Sequence, residues 1–73
     1  MKSHYIILLS YYDTKARKKI QRNYTLRGTQ GQAEIYALNA MDFYKPMDYV
    51  KDVRCDILRI DTLTHIKSYK ASA

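Results

Sequence analysis

The sequence predicts an α+β fold: a small antiparallel sheet with one helix packed on one face, in the order ββαβ(β). Three features point to it. Two consecutive segments rich in tyrosine and β-branched residues open the chain, a stripe at helical period follows, and strand-like alternation returns beyond Pro46. The 73 residues suffice for a single domain, 1–73, with one small core.

The first strand covers Tyr5 to Tyr12, where nearly every residue is apolar or aromatic, so both of its faces are expected to be at least partly covered. Asp13-Thr14-Lys15-Ala16 is polar and turn-like. From Arg17 to Arg27 the odd positions are all polar and the even ones include Ile20, Tyr24 and Leu26, the alternation of a sheet with one wet face. A loop closing Tyr12 against Arg17 sets Leu9 opposite Ile20, Ile7 opposite Arg22 and Tyr5 opposite Tyr24, all toward the core. The other face then carries Ile6, Leu8 and Tyr12 beside Asn23, Gln21 and Arg17, with Lys19 and Arg27 along the row. A slip of one residue would exchange the two faces.

Between Gly28 and Pro46 the period becomes helical. Ala33, Tyr36, Ala37, Ala40, Met41 and Tyr44 form one stripe, which assigns Tyr36 and Tyr44 to the core with their hydroxyls at its rim. Thr29-Gln30-Gly31-Gln32 fits a capping box, and Pro46 stops the helix by pushing its predecessor out of the α region. Met47 to Lys51 is a connection. Val53, Cys55 and Ile57 then alternate with Arg54 and Asp56 before Leu58 and Ile60 switch parity, which predicts a strand with a bulge or a two-sided end. Asp61-Thr62 is a turn signal, and Leu63 to Tyr69 beyond it reads as a short fourth strand in preference to a last helical turn, because Thr, His, Ile and Tyr dominate it.

The formal net charge of +6 is unevenly placed. Lys2, Lys15, Arg17, Lys18, Lys19, Arg22 and Arg27 meet only Asp13 in the first third, whereas cations and anions balance from Gly28 onward. Lys15, Arg17, Lys18, Lys19 and Arg22 gather at one hairpin tip, a cluster suited to neutralising phosphates. Tyr12 and Tyr24 are candidates to stack on bases, and Tyr12, Tyr49 and Tyr69 to lie in an interface. The competing explanation is that the cations protect a sheet edge from aggregation.

Chemistry beyond binding has little to work with. No Gly-rich phosphate loop is present, and one Cys with two His is too few for a structural zinc site, so no metal and no cofactor are expected. Asp48, Asp52 and Asp56 read as solvated charges, and Cys55 as a buried thiol beside a surface His65, leaving no catalytic residue. A lone cysteine suits a reducing cytoplasm, and the run Tyr5-Ile6-Ile7-Leu8-Leu9 is too short for a signal peptide or a membrane span. A core this small also leaves room for a homodimer, through an edge strand or through Ile6 and Leu8.

Met1-Lys2-Ser3-His4-Tyr5-Ile6-Ile7 and Ile57-Leu58-Arg59-Ile60-Asp61-Thr62, separated by a strand and an Ala-rich helix, resemble a small group of phage-encoded type I anti-CRISPR proteins of ββαββ build. The resemblance implies a non-enzymatic inhibitor that occupies the DNA-binding groove of a host nucleoprotein complex. Arg59 is the matched cation, while Glu34, Ile35 and Asn39 stand where that group carries a basic helix. The expected function is thus that of a cytoplasmic protein which occludes the nucleic-acid-binding surface of a host nucleoprotein through its basic hairpin, with Lys15, Arg17, Lys18, Lys19, Arg22, Arg27, Tyr12 and Arg59 as the binding residues. The alternative is direct DNA or RNA binding as an accessory protein of a phage or plasmid.

Overall fold

A computed structural model describes residues 2–71; Met1 of the opening segment lies outside them. Strands β1 (Ser3–Asp13) and β2 (Lys18–Gly28), helix α1 (Gln30–Tyr44), and strands β3 (Val50–Arg59) and β4 (Thr64–Lys70) follow in that order. The sheet is antiparallel throughout, with spatial order β2-β1-β3-β4. β2 and β3 both flank β1, so α1 carries the chain over β1 from one side to the other.

Alternation decides which residues the helix covers. Tyr5, Ile7, Leu9 and Tyr11 of β1 and Val53, Cys55 and Ile57 of β3 point to the α1 side and are buried. Ala33, Ala37 and Met41 close the core from the helix, the two alanines letting its backbone approach the central strands. Tyr36 is 40% exposed and so is not the core residue its place in the stripe predicts. Helix α1 sits over β1 and β3, leaving Tyr36 to reach sideways over β2, where its ring meets Tyr24 at 5.7 Å. Tyr44 does pack inward, 4.8 Å from Tyr11.

The capping box is formed. The Gln32 amide N–H donates to Thr29 Oγ1 at 3.2 Å, and the Thr29 N–H donates to Gln32 Oε1 at 2.9 Å. Gly28 precedes it because a Cβ there would run into the Gln32 side-chain amide. Thr29→Ala is expected to cost about 1 kcal/mol of stability, measured by urea denaturation with an unchanged m-value.

The hairpin register differs by two residues from the sequence expectation. Asp13 pairs with Lys18, which sets Leu9 opposite Arg22, Ile7 opposite Tyr24, Tyr5 opposite Leu26 and Tyr11 opposite Ile20. The cause lies in the turn: Asp13 Oδ1 accepts from the N–H groups of Lys15 (2.9 Å) and Ala16 (3.0 Å), and Arg17 adopts a left-handed φ of 58°. The turn is therefore centred one residue later. A shift of two preserves the faces, so the division into covered and open sides stands.

β3 begins at Val50, within the segment expected to be a connection. Its bulge falls at Asp52 and Val53, which together oppose Tyr11; Asp52 has φ 56°. A second irregularity, between β3 and β4, leaves Ile66 as the extra residue between Lys67 and His65. Leu58 lies on the open side beside Ile6, giving β3 the two-sided end that its parity switch implies. β4 starts one residue later than expected, because Leu63 (φ 53°) belongs to the turn and is 84% exposed.

Candidate nucleic-acid interface

Nothing among the described residues covers the face of the sheet away from α1. Along β1 it presents Ile6, Leu8, Ser10 and Tyr12; β2 adds Lys19, Gln21, Asn23, Thr25 and Arg27, and β3 adds Arg54, Asp56 and Leu58. Tyr12 is 40% exposed, on a central strand, at the end of the sheet where the hairpin turns. Lys19 stands directly opposite it on one side and Lys51 on the other. Arg54 opposes Ser10, and Lys70 opposes Arg54. Ser10, Tyr12, Lys19, Arg54 and Lys70 border an open hollow of about 460 Å³, with Asp52 at its rim.

The predicted site residues divide among three places. Lys15, Arg17, Lys18 and Lys19 stay together at the tip with Tyr12. Arg22 faces the helix side, opposite Leu9, and is exposed. Arg27 pairs with His4 at the far end of β2, about 26 Å from Lys19 at the usual rise of a strand. Arg59 is there too, opposite Tyr5 and ion-paired with Asp61 at 3.1 Å. Tyr24 faces the helix and cannot stack on a ligand of the open face. Burial and a hydrogen bond with Tyr44 push its phenol pKa up. Tyr49 and Tyr69 are half-buried against the core, so Tyr12 alone of the three remains an open ring.

Lys51, Arg54 and Lys70 were not legible as part of this site. They come from the charge-balanced part of the sequence, and only the order β2-β1-β3-β4 brings them beside Lys19.

The tip is anchored. The Thr14 N–H and Oγ1 both donate to the Tyr49 carbonyl, at 2.8 and 3.1 Å, and the Lys15 ammonium lies 4.6 Å from the centre of the Tyr49 ring. These contacts tie the β1–β2 turn to the segment entering β3.

Asp56 is a joint rather than a solvated charge. Arg54 donates to it through Nε (3.1 Å) and Nη2 (3.4 Å), and Ser68 donates from across the β3–β4 ladder. His65 Nε2 lies 3.4 Å from Asp56 Oδ1 and 2.8 Å from Ser68 Oγ. A nucleophilic triad needs one ring nitrogen for the carboxylate and the other for the hydroxyl; here a single nitrogen faces both, and the group braces two strands. Burial works to raise the Asp56 pKa, but the hydrogen bonds from Ser68, Arg54 and His65 prevail and hold it below the ordinary aspartate value. Glu34 is lowered as well, first by the hydrogen bond from Lys67, which joins α1 to β4 at 3.4 Å.

Both depressed carboxylates contribute stability that is present above their unfolded pKa values and lost as pH falls through the folded ones. Thermal stability is therefore expected to decline below about pH 4. Asp56→Asn should flatten part of that decline, as followed by circular dichroism melts across the acid range.

Cys55 is fully buried on the helix side, opposite Tyr69, and burial pushes its thiol pKa up to about 11. His65 is on the other face, so the two do not meet. No three His, Cys, Asp or Glu side chains among the described residues are grouped to hold a metal ion. No helix among them is long and apolar enough to cross a membrane.

Comparison with known proteins found no matching family model, no similar curated protein and no similar solved structure.

Proposed function

We propose that this protein is a small non-enzymatic binding protein of the cytoplasm that takes single-stranded nucleic acid on the basic end of its open sheet face. The observation that carries this reading is Tyr12, an exposed ring flanked in the ladder by Lys19 and Lys51, with Arg54 and Lys70 beyond. An aromatic on a sheet surface offers a base a stacking platform that tolerates any sequence, and the cations around it match the phosphates on either side. A net charge of +6 adds long-range attraction toward a polyanion. The same charge would oppose entry into a groove that is itself positive so as to hold DNA.

A specific observation favours the second reading, an anti-CRISPR-like phage or mobile-element protein that occludes a host nucleoprotein. The brace of Asp56 with Arg54, His65 and Ser68 puts an anion in the middle of the open face, where a protein surface of mixed charge fits better than phosphate alone.

Fluorescence anisotropy with a labelled single-stranded oligonucleotide and its duplex, at low and physiological salt, tests the first reading. Expected are tighter binding of the single strand and a steep loss of affinity with salt. Tyr12→Ala should weaken binding roughly tenfold while leaving most of the salt slope in place. No binding at low salt, together with co-purification of a host complex, would overturn it in favour of occlusion.

A further inference from the structure

The outer face of α1 sets large apolar side chains beside Asn39 and Asp42, and nothing among the described residues covers it. Ile35 is 61% exposed, Leu38 41% and Phe43 64%, and Tyr36 adds a ring at 40%. Ile35, Leu38, Asn39, Asp42 and Phe43 recur at the spacing of one helical stripe, on the side away from Ala33, Ala37 and Met41. Helix α1 thus has one stripe in the core and a second in solvent. Between Phe43 and β2, the aromatic rings of Tyr24, Tyr36 and Tyr44 border a groove of about 360 Å³.

We propose that this stripe is the interface of a two-fold homodimer, formed by antiparallel packing of α1 on α1 of a second copy. Self-complementarity is the first argument. A two-fold axis at Asn39 sets Ile35 opposite Phe43 of the second copy and Phe43 opposite its Ile35, and brings two Asn39 amides together, each able to donate and accept. Size is the second. Ile35, Tyr36 and Phe43, which flank Asn39 on the helix surface, offer on the order of 300 Å² of apolar surface per copy. That is much of the apolar part of a standard interface of about 800 Å² per partner.

Charge decides between this face and the other two surfaces open to self-association. Pairing β2 with β2 would gather Lys18, Lys19, Arg22 and Arg27 along one seam, and apposing open faces would bring Lys19 and Lys70 of both copies together, Arg54 being held by Asp56 within one copy. Helix α1 has no Lys or Arg, and both its acids are paired within one copy, Glu34 with Lys67 and Asp42 with Lys45. Orientation matters as well. The C-terminal end of α1 rests on Tyr11, near the basic tip, and its N-terminal end follows Gly28 opposite Ser3. Antiparallel helices therefore point the two basic tips in opposite directions, whereas parallel helices would bring them side by side. This inference is independent of what the open face binds.

The test is molar mass by light scattering across a concentration series. The expected mass rises toward twice 8.6 kDa. Phe43→Glu, which alters an exposed side chain and should leave the circular dichroism spectrum and melt in place, should raise the dissociation constant at least about thirtyfold. A cysteine at the axis, Asn39→Cys, should form a disulfide-linked dimer under mild oxidation, while Thr25→Cys on the open face should not. Two results count against the proposal in different ways. A mass of 8.6 kDa at every concentration overturns the dimer. A dimer that survives Phe43→Glu and is linked by Thr25→Cys instead overturns this interface.

Discussion

Reversing charge at Arg17, Lys18 and Lys19 together to Glu is expected to reduce affinity for a single-stranded oligonucleotide at least about a hundredfold at physiological salt. All three are exposed at the tip. Lys18 and Lys19 oppose Asp13 and Tyr12 in the ladder, and Arg17 occupies the turn. None packs in the core, so the variant should fold. Replacing cations by anions does more than delete attractive partners, because it also sets repulsion along the path of approach. The salt slope provides the sharper measurement. It should fall by about one unit for every phosphate that the variant no longer touches, so a variant that binds weakly but keeps the wild-type slope would show that the tip does not meet phosphate. Reversal at Arg27 and Arg59, at the far end of the sheet, should cost much less.

The second large effect is on stability. Ile7→Ala is expected to cost about 3 kcal/mol and lower the melting temperature by roughly 15 °C. Ile7 is completely buried and opposes Ile57, also completely buried, in the middle of the two central strands. It lies under α1, where removing three carbons leaves a void that a two-layer structure closes only in part. A domain of this length has a total stability of only about 4–11 kcal/mol, so the loss would be a large share of the whole. Leu63→Ala serves as the comparison: Leu63 is 84% exposed, and its truncation should fall within about 0.5 kcal/mol of wild type. A melt in which both variants behave alike would mean that the core lies elsewhere.

How much of the molecule can be read from its sequence depends on the range of the physics. Strand type, helix period and the Thr29–Gln32 capping box are local, and each is written in a stretch of a few residues. The hairpin register requires more, because the Asp13 carboxylate moves the turn by capping Lys15 and Ala16. Tyr36 follows the periodicity but leaves the core, since α1 lies over β1 and β3 and its flank extends past the covered strands. The contribution of Lys51, Arg54 and Lys70 to the candidate site is out of reach of the sequence. Charge counted along the chain is neutral there, and the cations meet Lys19 only once β3 has docked beside β1.

Thr14 holds the β1–β2 turn to the Tyr49 carbonyl through both its N–H and its hydroxyl. A basic loop free to sample many shapes would surrender that freedom each time it captured a ligand, and part of its attraction would be spent on stiffening itself. Here the prong is braced against the body of the molecule before any ligand arrives, and Lys15 rests on the Tyr49 ring. Its cations occupy set positions, so recognition by this end of the protein is closer to a fixed template than to a searching arm. Thr14→Ala removes only the hydroxyl's bond and keeps the backbone N–H bond to the Tyr49 carbonyl, so the prong should stay braced and its selectivity nearly unchanged.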